Sequence, residues 1–169
     1  MRWIPTRSHV WELTDKLQKS FWLETPNISA PCYALELKEI FYTDNLTTAH
    51  AFFEACDYGK GWSGCRSYCH DNASFETAAE TLAEINTLDT YCDWMVEALA
   101  MFDATVEVEV KSEAYDVKKD IALIYAEIRG NVIIGPEPMF MKTDYVYAIN
   151  FNGQKISHVT KIWELKLPS

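Results

Sequence analysis

The spacing of apolar and polar positions changes period once, a little past the middle of the chain. Leu46, Ala49, Phe52, Phe53 and Cys56 recur at helical spacing, and the stripe stops at Gly59 and Gly61. With Asp44 or Thr47 as its cap, this predicts a helix. A second short helix is expected over 64–69, then a turn at Asp71-Asn72 and a short strand over 73–76, while 78–86 is ambiguous. Thr87 or Asp89 opens a third helix that runs to Phe102, with Leu88, Tyr91, Cys92, Met95 and Leu99 facing inward. The period then drops to two. Val106, Val108 and Val110 alternate with Glu107, Glu109 and Lys111, the mark of a half-buried strand over 105–115. Another strand follows over 121–129. Residues 130–142, with Gly135, Pro136 and Pro138, read as a loop or lid. Two runs rich in Tyr, Val, Ile, Thr and Trp then flank Asn152-Gly153, a strong hairpin signal.

The hairpin carries four groups capable of chemistry, Asp144, Tyr147, His158 and Lys161. Register decides which of them share a face, because a one-residue slip turns a whole strand over. A two-residue turn sets Asp144 opposite Lys161 and Tyr147 opposite His158. A three-residue loop sets Tyr145 opposite Lys161, Tyr147 opposite Val159 and Thr143 opposite Trp163. The residues alone leave both registers open.

Upstream, residues 1–45 read as a helical arm and 46–169 as the main domain. Ser8 can cap a helix with Val10, Leu13, Leu17 and Phe21 on one side. Trp3, Trp11 and Trp22 load this arm with apolar surface, so docking on its own domain or on a second subunit is expected. Pro26 and Pro31 bracket a linker, and 33–42 fits helix or strand. Helices followed by a meander of strands indicate an α+β fold, a curved antiparallel sheet with helices on one face.

Composition narrows the function classes. A chain of 169 residues with 49% hydrophobic residues can build one proper core, and its net charge of -10 argues against a nucleic-acid partner. Nor does any apolar run approach the roughly 20 residues of a membrane-spanning helix. Five cysteines, an odd number, without an apolar leader fit reduced thiols and a cytoplasmic location. Arg2 and Arg7, ahead of the first acid at Glu12, leave an organelle transit peptide open. Cys65, Cys69 and His70 lack a second ligand pair, so no metal is expected. Gly59, Gly61 and Gly64 are not followed by Lys-Ser/Thr, so no nucleotide cofactor is implied.

The order helix, DYGKGW, helix, YCHDNASFE, helix, then strands ending in DYVYAINFNGQKISHVTKIWE resembles the SnoaL-like branch of the nuclear-transport-factor-2-like superfamily. The resemblance spans residues 46–164. It rests on Asp57-x-Gly59, Asp71-x-Ala73-x-Phe75 and Gly153-x-Lys155-Ile156. It implies a cone whose sheet and helices enclose one deep apolar pocket, commonly in a homodimer formed through the sheet. Against the ketosteroid isomerase pattern, Phe52 stands at the oxyanion tyrosine, Thr77 at the base aspartate, and Tyr147 near the protonated aspartate. Steroid isomerisation by that mechanism is therefore not expected. The family's cyclases use an aspartate and a histidine, for which this chain offers Asp144 and His158.

The family's strand parity favours the three-residue loop, which puts Tyr145, Tyr147, Val159, Lys161 and Trp163 on the concave face. With Phe52, Trp62, Phe75, Tyr91, Trp94, Met95 and Tyr125, these form the expected wall for a small apolar or aromatic ligand. Tyr147 and Lys161 are then the candidate catalytic groups; in the other register Asp144 pairs with Lys161 in the pocket beside Val159 and Trp163, while Tyr147 and His158 leave it. Two functions remain open: cofactor-free proton transfer, as in cyclisation, isomerisation or dehydration, and a non-catalytic binding or dimerisation module of the same fold.

Overall fold

The computed structural model describes residues 31–133 and 137–163, with side chains from Asp44 onward, Thr81 excepted. The expected N-terminal helix and Trp3, Trp11 and Trp22 lie outside these. The chain divides into two compact units, Met1–Leu37 and Lys38–Ser169, and the elements below belong to the second save the first turns of α1.

Helix α1, Pro31–Asp57, is one continuous element where a linker and a later helix start were expected. Pro31 fits the first helical position, where a missing N–H costs nothing. Asp44 and Thr47 are interior to the helix and do not cap it. At the other end, the Lys60 N–H donates to the Ala55 carbonyl at 2.9 Å and the Gly59 N–H to that of Cys56 at 3.0 Å. With Gly59 at φ 69°, this is a Schellman ending that only a residue free of Cβ strain adopts readily. Its consequence is positional: Asp57 sits in the last turn, four residues after Phe53 on the buried stripe.

Helix α2, Gly61–Cys65, and a 3₁₀ turn, Arg66–Tyr68, lead into β1, Cys69–Thr77. The ambiguous stretch holds a 3₁₀ turn, Glu80–Leu82, and α3 spans Leu88–Leu99, burying Leu88, Tyr91, Cys92 and Met95. Four strands follow: β2 Glu107–Asp116, β3 Ile121–Val132, β4 Met139–Asn152 and β5 Lys155–Trp163. Most of the expected lid is therefore strand, divided between β3 and β4. The fold is α+β, with sheet order β1-β5-β4-β3-β2. All neighbours are antiparallel except β1, which runs parallel to β5, so the sheet is mixed. No tight turn joins β1 to β5, and a long connection permits the parallel sense.

The hairpin register matches neither expected pairing. Asn152 pairs with Lys155 across Gly153-Gln154, and a bulge then shifts the ladder between Asn150 and Phe151. Beyond the bulge Tyr147 faces Lys161 and Tyr145 faces Trp163, two residues away from the favoured pairing. A two-residue displacement preserves parity. Tyr145, Tyr147, Val159, Lys161 and Trp163 accordingly share the inner face, and Asp144 and His158 point to the other.

Alternate residues of β3, β4 and β5 make the sheet side of the core, among them Ile124, Ala126, Ile149, Ile156 and Val159. Phe52, Phe53 and Cys56 of α1 and Tyr91, Cys92 and Met95 of α3 make the helical side. Buried Asn45 ties α1 to two turns, donating to Asp120 Oδ1 at 3.0 Å and to the Gly153 carbonyl at 3.2 Å. Among the described residues, no helix is long and apolar enough to cross a membrane.

Candidate active site

Helix α1 ends by placing a carboxylate among tyrosines. Asp57, 2% exposed, accepts hydrogen bonds from both inner tyrosines of β4. Tyr147 donates to Oδ1 at 2.8 Å, and Tyr145 donates to Oδ2. The Tyr147 and Tyr91 hydroxyls lie 2.5 Å apart, and the Lys161 amine donates to Tyr91 at 2.9 Å. With both hydroxyls of β4 committed to Asp57, the Tyr91 proton points to Tyr147. A single hydrogen-bonded line therefore runs from Lys161 through Tyr91 and Tyr147 to Asp57.

Aromatic rings hold the line in place. Phe75 stacks on Tyr91 at 3.9 Å between centroids, and Phe53 packs its edge against Tyr147 at 5.6 Å. The Lys161 amine lies 4.4 Å from the Tyr145 ring centroid, 4.9 Å from Tyr147 and 5.2 Å from Trp163. A desolvated cation gains about 2 kcal/mol over a ring, whereas removing an ion from water costs several kcal/mol. Desolvation wins. Burial pushes Lys161 below its ordinary value, with the charge of Asp57 opposing. Burial likewise pushes Asp57 up, against the pull of Lys161, Tyr145 and Tyr147. Both groups move towards the range where protons are exchanged near neutral pH.

A cavity of about 220 Å³ opens beside this line. Asp57, Tyr145, Lys161, Trp94, Met95 and Trp163 line its polar end, and Leu99, Phe102, Ile128, Val132 and Met141 are among its apolar walls. Tyr91 and Tyr147 stand behind the wall and connect its two titratable groups. The indole N–H of Trp163 is buried with no hydrogen-bond partner among the described residues.

Several residues expected in the pocket lie elsewhere. Phe52, Phe75 and Val159 are core, and Trp62 donates its backbone N–H to Asp93 at 2.7 Å. Tyr125 is on the outer face of the sheet beneath Lys111. Asp144 is also outside and pairs with Lys111 at 3.1 Å. His158 bonds Ser74 Oγ at 2.8 Å and Thr160 Oγ1 at 2.9 Å, across the β1 edge. Asp57 was absent from the expected site. Its spacing of four from Phe53 was the available signal, obscured because Asp-x-Gly reads as a helix ending.

The structure also gathers Cys56, Cys65 and Cys92, whose sulfurs lie within 4.8 Å of one another, all buried. Cys69 is a fourth buried free thiol, pushed up to about 12 by burial. Hydrogen bonds within the cluster pull Cys65 down and push Cys56 up. Three sulfurs are one donor short of a closed four-coordinate set. All three belong to the buried core.

No protein-family model and no curated protein matches the chain. Solved structures do. A protein assigned as a SnoaL-like polyketide cyclase from Jannaschia sp. CCS1 superposes with a TM-score of 0.57 at 12% identity, covering 82% of this chain and 91% of that one. The epoxide hydrolase/cyclase-like enzyme SalBIII, described for pyran ring formation in salinomycin, gives 0.57 at 11% identity over 72% and 92%. A nuclear-transport-factor-2-like protein from Anabaena variabilis ATCC 29413 gives 0.58 at 12% identity over 73% and 91%. At such identities the likeness is one of fold. The chain has the nuclear-transport-factor-2-like fold that its order of motifs resembles, with SnoaL-like proteins among its structural neighbours.

Proposed function

We propose that the protein is a cofactor-free acid–base catalyst acting on a small, largely apolar organic molecule held in the cavity. The carrying observation is the hydrogen-bonded line with a carboxyl at one end and an amine at the other, both opening on the same apolar space. Asp57 as carboxylate takes a proton from a substrate carbon or hydroxyl, and Lys161 as ammonium gives one to an oxygen. The tyrosines then return a proton from one end to the other. Such a cycle performs isomerisation, cyclisation or dehydration; cyclase and ketosteroid-isomerase-like names occur among the structural neighbours. Positioned acid–base groups contribute about 10²–10⁴-fold in rate.

A panel of small cyclic ketones tests the reading. Binding is followed through the fluorescence of Trp94 and Trp163, and proton abstraction through exchange of α-hydrogens in heavy water. Saturable quenching with exchange that is lost in Asp57→Asn supports it. Quenching without exchange by the wild type favours the non-catalytic binding module, and the absence of both overturns the cavity reading.

We also propose that two copies pair through the outer face of the sheet, where Leu123, Tyr125 and Ile162 are exposed. Sedimentation across a concentration series, with Tyr125→Glu as the comparison, tests the pairing.

A further inference from the structure

We propose that Lys161 acts as a nucleophile, forming an imine with a small apolar aldehyde or ketone admitted to the cavity. This rests on the acid–base reading of the same site and goes further by naming the substrate class and the covalent step. Three geometrical features carry it. The amine lines the cavity and has two protein partners among the described residues, Tyr91 Oη at 2.9 Å and the weak acceptor Met95 Sδ at 3.9 Å. Once it has given up its proton in the acid–base cycle, the amine keeps two N–H bonds, which these two partners match, and a lone pair remains. Secondly, the space beside the amine is walled by Trp94, Met95, Leu99, Phe102 and Trp163, apolar side chains that suit the carbon skeleton of a small carbonyl compound. Thirdly, the hydrogen-bonded line points the way the reaction needs, from nitrogen towards Asp57.

The step balances within the site. The nitrogen lone pair attacks the carbonyl carbon, and the C=O π pair moves to oxygen. One N–H proton passes to Tyr91, while Tyr91 hands its own to Tyr147 and Tyr147 hands its own to Asp57 Oδ1. Asp57, together with Tyr145 on its other oxygen, supplies a proton to the carbonyl oxygen and a carbinolamine results. Repeating the relay removes the second N–H proton and protonates the hydroxyl, which leaves as water when the C=N bond forms. Amine and carbonyl give imine and water, with no net gain or loss of protons. The groups facing Lys161 are Asp57 and Cys56 of α1, Tyr91 of α3, and Tyr145 and Tyr147 of β4. A desolvated lysine among such neighbours is an established kind of activated nucleophile. Size also fits, since an apolar cavity of about 150 Å³ holds benzene and this one is about 220 Å³.

The test treats the full chain at neutral pH with benzaldehyde and cyanoborohydride, which reduces an imine to a stable secondary amine. Intact mass gives stoichiometry, peptide mapping gives position, and tryptophan quenching gives binding. The expected result is one benzyl group per chain, on Lys161. Lys161→Met removes it, and Asp57→Asn slows its formation about 10²-fold. Should Lys161→Met fail to fold, the position of the label in the wild type decides. Quenching with Lys161 unmodified, or label spread over exposed lysines, overturns the imine and leaves the cavity reading standing. Neither quenching nor label overturns both.

Discussion

The two faces of the β3–β4–β5 sheet each bury a carboxylate near a lysine, and the two solutions are opposite. On the inner face, Asp57 accepts from tyrosine hydroxyls, and Lys161, 4% exposed, donates to a tyrosine and a thioether. On the outer face Glu127, 1% exposed, lies under three cations: Lys111, Arg129 at 3.1 Å and Lys142 at 2.9 Å. Lys111 and Lys142 hold the Glu127 carboxyl down at about 2, while burial lifts that of Asp57. Burial of the residue alone does not set the proton affinity. Direct cationic contact at a face open to water fixes a charge, and its absence beside an apolar cavity leaves the charge negotiable. The outer cluster is built for structure and the inner line for proton movement.

The sharpest way to break this contrast is to neutralise each carboxylate in turn. Asp57→Asn should lower α-hydrogen exchange by about 10²–10⁴-fold, while Glu127→Gln should leave it near the wild-type rate. Equal losses in both variants would erase the distinction between the faces.

Stability should show the reverse asymmetry. Glu127→Gln leaves three cations without their shared partner and should lower the melting temperature clearly at neutral pH. The pH dependence follows from linkage. A carboxyl held at about 2 in the folded state and near 4.3 when unfolded contributes fully above the unfolded value. That contribution is lost as pH falls from there through the folded one. The acid limb of the melting profile should therefore flatten in Glu127→Gln. An unchanged limb would show that the cluster does not hold the carboxyl as described.

A smaller effect is expected within the inner line. Tyr147→Phe leaves Asp57 Oδ1 and Tyr91 short of a partner in the core, costing about 1–3 kcal/mol in unfolding free energy, with slower exchange because the relay is cut. Chemical denaturation beside the exchange assay reads both. Retained stability together with retained exchange would mean that the line is not continuous. Smallest of all, Asp144→Asn should change neither exchange nor melting temperature measurably, since that carboxylate is exposed on the outer face.

Much of this contrast was legible in the chain itself. Alternation through Val106, Val108 and Val110 marked β2, and the Leu88–Met95 stripe marked α3. Strand alternation alone left two registers, and the parity implied by the family resemblance separated Tyr145, Tyr147 and Lys161 from Asp144 and His158, as the ladder has them. The exact pairing was hidden because the bulge beside Asn150 has no signature in residue type, and one inserted residue changes what opposes what. Gly130 and Pro138 concealed the ends of β3 and β4 by reading as loop punctuation. Asp57 is hidden in the sequence for a physical reason: a polar residue ending a helix is ordinarily solvated. Tyr145 and Tyr147 of β4, distant in sequence, cover it in the fold. Tyr125 was misplaced because an aromatic residue in an alternating strand identifies neither face by itself.

The central claim is that Asp57 and Lys161 share a desolvated, proton-exchanging line, and titrating the Lys161 amine by nuclear magnetic resonance with labelled lysine tests it most directly. The account predicts a value below the ordinary lysine value of about 10.4, moving lower still in Asp57→Asn because the carboxylate that supports the charged form is gone. A Lys161 that titrates at or above the ordinary value, indifferent to Asp57→Asn, would contradict it.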